Sequence, residues 1–83
     1  MKREIEERVR SIIAETFDVS ESNITNETVR FDIDGWDSLS HTILMVRLQR
    51  HFGINIPEEV AGNVQNVGEL TEAIRRLVRG VAI

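Results

Sequence analysis

The first segment of the chain has the hydrophobic period of an amphipathic helix. Its apolar residues recur at spacings of three and four and therefore share one face: Ile5, Val9, Ile12, Ile13 and Phe17. The charged residues fall mostly on the other face, with the acidic ones mainly in the early turns, where the helix dipole favours negative charge. The pattern predicts a helix from about Arg3 to Phe17.

The helical period is lost between Asp18 and Trp36. This stretch is rich in Ser, Thr and Asn, which favour turns and caps. Single apolar residues interrupt it at Val19, Ile24, Val29, Phe31 and Ile33. A loop of this length is uncommon in a compact domain unless it is packed or functional, so we expect these five residues to fasten it to the core. Asp34 and Gly35 then predict a sharp turn.

A second helix is predicted from Asp37 or Ser38, either of which suits the N-cap, to about Phe52, with Gly53 as a left-handed C-cap. One face of this helix is apolar through Leu44, Met45, Leu48 and Phe52. Further apolar residues extend onto a second face, at Leu39, Ile43 and Val46. Apolar surface in excess of what a small core needs indicates contact with a partner.

The last third of the chain predicts a short helix and a long one. The segment 54–56 is extended, and Pro57 suits the first turn of a helix that reaches about Ala61. Asn66 is the expected cap of a final helix, with Glu69 at the capping-box position and Gly80 as the residue that ends it. Its buried stripe is expected to be Val67, Leu70, Ala73, Ile74, Leu77 and Val78.

These elements predict an all-α fold, namely a small four-helix bundle with three long helices, one short helix and a long loop between the first two. With 83 residues, we expect positions 1–83 to form a single domain. The expected core lies between the helices and contains Phe17, Leu44, Leu48, Phe52, Leu70, Ile74 and Leu77.

Composition excludes several classes of function. The chain has no cysteine, which rules out disulfides, thiolate catalysis and Cys-type metal sites. The longest apolar run, residues 43–46, is far too short to span a membrane, and the charged N-terminus does not resemble a secretory signal. A net charge of −4 and a single lysine argue against nucleic-acid binding, including by a helix-turn-helix. We therefore expect a cytoplasmic monomer that binds no nucleic acid.

The segment 34–41 is the densest cluster of reactive side chains, but it fits no catalytic or metal site. A calcium loop fails because Trp36 occupies a ligand position. A triad of Ser38, His41 and Asp37 would crowd all three members into one helix start, without the scaffold that an oxyanion hole needs. His41 and His51 would lie ~15 Å apart on one helix, too far to share an ion. No catalytic residue and no metal ligand is predicted.

When only the tripeptide 37–39 is considered, two hypotheses remain for the role of Ser38. The serine would either cap the helix, which is the commoner role, or carry a phosphate-bearing group favoured by the amides and dipole of the helix start.

The sequence as a whole resembles the acyl carrier protein family, including its peptidyl and aminoacyl carrier domains. The resemblance lies in Asp37-Ser38-Leu39, in the segment 54–59 that reads Ile-Asn-Ile-Pro-Glu-Glu, and in the entry to the last helix at 64–70. It implies a non-enzymatic carrier with 4′-phosphopantetheine esterified to Ser38, flanked by Asp37 and Leu39. Acyl or aminoacyl groups would be attached to it as thioesters. For the core between the helices, we separately expect a gap that can admit part of an acyl chain. The implied partners are a phosphopantetheinyl transferase (holo-acyl-carrier-protein synthase), an acyl- or aminoacyl-activating ligase, and a downstream acyltransferase or synthase.

The second helix departs from the fatty-acid type of carrier, in which this helix is strongly acidic. Residues 40–51 contain no Asp or Glu. We predict a docking surface that is apolar at its centre and basic at its end, formed by Leu39, Thr42, Ile43, Val46 and Arg50. A specialised lipid, polyketide or peptide-like pathway is favoured over housekeeping fatty-acid synthesis. An unmodified helical adaptor is the alternative. Trp36 is interpreted as an anchor of the loop end, and the second hypothesis for it is that it helps a partner enzyme to recognise the serine.

Overall fold

The computed structural model describes residues 2–82, with side chains described for residues 4–80. This part of the chain forms four α-helices: α1 (Lys2–Phe17), α2 (Ser38–Phe52), α3 (Glu58–Ala61) and α4 (Val67–Ala82). The predicted all-α fold, with three long helices and one short helix, is confirmed. In residues 2–82, no helix combines the length and the apolar character that a membrane crossing requires.

Helix α1 packs against both α2 and α4, and the core lies between these three helices. Four of the seven expected core residues are fully buried: Leu44, Leu48, Leu70 and Ile74. The other three pack against the core but remain partly exposed: Phe17, Phe52 and Leu77. A salt bridge also joins α4 to α1, because the Arg75 guanidinium donates to the Glu6 carboxylate at 2.9 Å.

The caps of α2 follow from local sequence. The side chain of Asp37 accepts a hydrogen bond from the Ser40 backbone N–H at 2.9 Å, so Asp37 is the N-cap. Gly53 has a φ of 64°, the left-handed conformation predicted for the C-cap. Ser38 is therefore the first residue inside the helix, and its side chain is not needed for capping.

Two expectations about α4 need correction. The Asn66 carboxamide oxygen accepts from the Glu69 N–H at 2.8 Å, as expected, but the Glu69 carboxylate accepts from the N–H of Gln65 instead of closing a capping box on Asn66. Gly80 does not end the helix, which continues to Ala82. Glycine permits a left-handed cap without requiring one, and Gly80 is not among the glycines with positive φ.

The long loop is packed against the bundle and contains two 3-10 turns, at Glu21–Asn23 and Arg30–Asp32. Ile24 and Ile33 are buried as expected, whereas Val19 and Val29 are partly buried. The expectation for Phe31 is wrong, because its side chain is 98% exposed. Side chains of successive residues in a 3-10 turn point about 120° apart. The turn therefore directs the Phe31 ring away from the core that Ile33 reaches.

Backbone hydrogen bonds join the loop to the start of α4. The N–H of Val67 donates to the carbonyl of Thr28, and the N–H of Gly68 donates to the carbonyl of Asn26, both at 2.9 Å. A Cβ at position 68 would lie 3.1 Å from the Asn26 carbonyl oxygen, so glycine permits this close approach. The loop thus satisfies amides at the α4 start that the helix itself leaves unpaired.

Candidate functional site

Ser38 lies at the exposed N-terminal end of α2. Its backbone carbonyl accepts a hydrogen bond from the Thr42 hydroxyl at 3.1 Å. The Ser38 hydroxyl itself makes no hydrogen bond to another described residue. Because Asp37 provides the cap, the serine oxygen remains accessible beside the positive end of the helix dipole.

Asp37 is held in its ionised form by the helix start. The Ser40 backbone N–H, with a further contribution from the Ser40 side chain, lowers the pKa of the Asp37 carboxyl from its ordinary value of 3.8. The carboxylate therefore stays charged at neutral pH and places a negative charge one residue before Ser38.

Trp36 anchors the end of the long loop. Its ring stacks on Phe17 at the end of α1, with the ring centroids 4.9 Å apart and the planes inclined by 19°. The turn before it passes through Gly35, whose φ of 86° suits glycine. The interpretation of Trp36 as a loop anchor is confirmed by this packing.

The Trp36 indole also donates a hydrogen bond from Nε1–H to Nδ1 of His41 at 3.0 Å. The other ring nitrogen of His41, Nε2, lies 2.9 Å from the carbonyl oxygen of Ala61 at the end of α3. An indole N–H can only donate, so Nδ1 is the acceptor and Nε2 carries the proton that is donated to Ala61. We call these three residues the Trp36–His41–Ala61 bridge.

Both ring nitrogens of His41 are thus occupied by the bridge and not by Ser38 or Asp37. The arrangement differs from a Ser-His-Asp triad, in which the histidine must face the serine hydroxyl. At the far end of α2, Nε2 of His51 lies 2.9 Å from the Arg8 guanidinium, so the two histidines serve separate contacts. Among residues with described side chains, no cluster of three His, Cys, Asp or Glu residues is placed to hold a metal ion.

Sequence reasoning weighed His41 only as a catalytic or metal-binding group and missed the bridge. The spacing of five between Trp36 and His41 matches no helical contact, because Trp36 lies outside the helix. Ala61 contributes only its backbone carbonyl, which no residue type can signal.

The residues of the predicted docking surface all lie on the exposed side of α2. Leu39, Ile43 and Val46 are 71%, 45% and 42% exposed, respectively. Thr42 and Arg50 are exposed on the same side, at helical spacings of three, four and seven from these apolar residues. The stripe begins beside Ser38 and extends ~16 Å along the helix to Arg50.

Two arginines lie near the C-terminal end of this stripe. Arg47 and Arg50 line a shallow groove of about 390 Å³ between α1 and α2, together with Ile12, Glu15 and His51. The Arg47 guanidinium lies 3.9 Å from the Glu15 carboxylate, with both side chains well exposed. The described contacts give Arg50 no such ion pair.

Comparison with known proteins agrees with this geometry. The family model for the phosphopantetheine attachment site matches residues 7–74. A holo acyl carrier protein from Geobacter metallireducens is 31% identical, with 93% of this chain and 88% of that chain covered and a TM-score of 0.84. A hexanoyl acyl carrier protein, described as a non-natural intermediate, comes from the actinorhodin polyketide synthase of Streptomyces coelicolor. It is 29% identical, with 87% of each chain covered and a TM-score of 0.74.

Proposed function

Because this chain belongs to the acyl carrier protein family, we propose that the Ser38 hydroxyl is the attachment point of its prosthetic group. That group is a covalently bound 4′-phosphopantetheine, whose thiol supplies the thioester that holds an acyl cargo. The chain is a carrier and not an enzyme. Its own residues position the arm and present it to enzymes that perform the chemistry.

The observation that carries the assignment is the position of Ser38. Its hydroxyl is exposed at the first residue of α2, while Asp37 takes over the capping role. A phosphodiester at this oxygen would lie at the positive end of a 15-residue helix, where negative charge is stabilised. The Asp37 carboxylate is turned to the Ser40 N–H. The residues present therefore fit a phosphate-linked arm that extends into solvent.

Incubation with coenzyme A and a phosphopantetheinyl transferase tests the attachment site. We expect the intact protein to gain the mass of one phosphopantetheine and Ser38→Ala to gain none. Ser40→Ala is the matched control, because Ser40 lies in the same helical turn, and it should be modified like the wild type. A modified Ser38→Ala protein would place the arm elsewhere.

The exposed stripe on α2 is our candidate for the docking surface. An enzyme that receives the arm would contact the exposed side of α2 next to Ser38. The residues on that side are Leu39, Thr42, Ile43, Val46 and Arg50. An apolar centre would supply most of the affinity through burial, and the arginine would set orientation and on-rate. Partners of this kind are the phosphopantetheinyl transferase, an acyl- or aminoacyl-activating ligase and a downstream acyltransferase or synthase.

The lack of acidic residues on α2 supports service in a specialised pathway. A surface that presents Ile43 and Arg50 is complementary to an enzyme face with apolar and acidic groups, and it would be repelled by the basic patches that acidic carriers use. A specialised lipid, polyketide or peptide-like pathway in the cytoplasm is the setting that we propose. Family membership favours this carrier role over that of an unmodified adaptor.

A further inference from the structure

The Trp36–His41–Ala61 bridge closes the side of the bundle next to the proposed attachment site. It connects the end of the long loop to the first turns of α2 and to the last residue of α3. The Trp36 and His41 rings lie nearly parallel, with centroids 6.1 Å apart and planes inclined by 23°, and Trp36 in turn stacks on Phe17. His41 follows Ser38 by three residues, which is less than one turn of the helix.

The cavity directly behind this bridge is very small. A cavity of about 10 Å³ lies between Trp36, His41, Thr28, Val64 and Leu70. A space of that size holds at most one water molecule. An acyl chain of several carbons would therefore enter only if the bridge opened and α3 moved away from α2.

A larger groove nearby is open to water and would not shield an acyl chain from it. A groove of about 430 Å³ lies between α3 and α4, but it is an open surface groove, lined by the apolar side chains Val60, Val64 and Ala73 and by charged ones that include Glu59, Glu72 and Arg76. An apolar chain placed there would contact the apolar side chains on one side and water on the other, and it would stay outside the bundle. The cavity behind the bridge is thus too small to admit part of an acyl chain while the bridge is closed.

We infer that the Trp36–His41–Ala61 bridge keeps an acyl cargo on the Ser38 arm outside the bundle, with His41 as the residue that holds the entrance shut. The inference rests on the proposed attachment at Ser38. Opening the entrance removes the partner of the Trp36 N–H and of the Ala61 carbonyl, and each group left unpaired inside the protein opposes the gain from burying the chain. The cargo then stays directly accessible to partner enzymes. Because it is also exposed to water, this carrier suits acyl groups that need no protection from water.

The experiment compares acetyl and octanoyl forms of the same protein, made by transferring acyl-phosphopantetheine from the two acyl-coenzyme A compounds. Melting temperature reports burial of the chain, because a group that binds only the folded state stabilises it. Emission of Trp36, the single tryptophan, reports opening of the bridge directly. In the wild type we expect equal melting temperatures for the two forms and unchanged Trp36 emission.

In His41→Ala the entrance loses its central side chain. We expect the octanoyl form of this variant to melt at least ~4 °C above its acetyl form. Trp36→Phe keeps a ring against Phe17 but removes the N–H donor, so it should show a smaller rise of the same sign. His51→Ala is the matched control on the same helix, lies outside the bridge and should behave like the wild type. Each comparison is made within one variant, so a lower overall stability does not affect it.

The outcomes separate this inference from the assignment of Ser38. Mass spectrometry of each sample establishes first whether the arm is attached, and an unmodified protein contradicts the proposed function together with the inference built on it. An octanoyl wild type that melts well above its acetyl form, with altered Trp36 emission, contradicts only the exclusion of cargo. Variants that all behave like the wild type would show that the bridge does not control the entrance.

Discussion

The Nδ1 atom of His41 accepts a hydrogen bond from the indole N–H of Trp36 at 3.0 Å, five residues earlier in the chain. The donor belongs to the end of a long loop and the acceptor to the helix that follows it. The same imidazole donates to the Ala61 carbonyl, so one neutral side chain joins three segments. Ser38 lies between Trp36 and His41 in sequence, so the chain is bonded to other segments on both sides of it.

Ser38→Ala should leave stability nearly unchanged while it prevents attachment of the arm. The exposed hydroxyl has no hydrogen-bond partner among the described residues, so the free energy of unfolding of the unmodified protein should change by less than ~0.5 kcal/mol. Urea denaturation of the unmodified wild type and variant measures this. A large loss of stability would mean that the serine, and not Asp37, caps the helix.

Asp37 should make stability depend on pH at the acidic end. Its pKa is lowered in the folded protein, chiefly by the Ser40 N–H, so its contribution is fully present above the unfolded value, near 3.8. It is lost as the pH falls through the lower folded pKa. The difference in melting temperature between the wild type and Asp37→Ala should therefore be constant near neutrality and shrink below about pH 4. Asp37→Asn, which stays neutral, is the control. Its difference in melting temperature from Asp37→Ala should not change below about pH 4.

Leu48→Ala should cost ~2–5 kcal/mol of unfolding free energy, because the side chain is fully buried and its removal leaves a cavity. Leu39→Ala on the same helix is the matched control, since Leu39 is 71% exposed and its truncation should cost less than ~0.5 kcal/mol. Chemical denaturation of both variants tests the phase of α2. Equal losses would show that the two faces are assigned incorrectly.

Two glycines should respond in opposite directions to alanine. Gly53 has a left-handed φ of 64°, so Gly53→Ala should destabilise the protein by ~1–2 kcal/mol. Gly80 lies inside α4, and a Cβ at this position would point into open space, so Gly80→Ala should raise stability by up to ~1 kcal/mol. Thermal melts of the two variants give the sign of each change in stability. A destabilised Gly80→Ala would indicate that α4 ends at Gly80, as the sequence predicted.

Ile43→Glu should weaken productive docking, because it places an unpaired charge in the apolar centre of the proposed docking surface. We expect about a tenfold loss of kcat/KM with the cognate loading enzyme. The double variant Ile43→Glu with Arg50→Glu should lose more with that enzyme and gain activity with a fatty-acid synthase component. Arg79→Gln on α4 lowers the net charge by one unit, as Ile43→Glu does, and is its charge-matched control. If the cognate enzyme accepts both substitutions on α2, recognition lies elsewhere, and the loop around the exposed Phe31 becomes the next candidate.

Local sequence determined where the helices lie and that Ser38 stands at the start of α2. The period of apolar residues placed the start of α1 within a residue of the observed one, because a side chain's face on a helix depends on its spacing from its neighbours. The capping residues Asp37 and Ser38 did the same for α2. Gly53 was predictable as the C-cap because glycine adopts a positive φ without a Cβ clash, although Gly80 shows that glycine does not always do so. The exposure of Leu39, Ile43 and Val46 likewise followed from helical phase.

Only the tertiary structure decided which side chains meet across segments. The fully exposed Phe31 and the partly exposed Phe52 are as apolar as buried residues, and their environment depends on how the loop and helices pack. The bond from His41 to Ala61 spans twenty residues and ends on a backbone carbonyl. Such a contact leaves no trace in hydrophobic period or motif, because it arises from the distance between elements after they have packed together and not from the preference of any one residue.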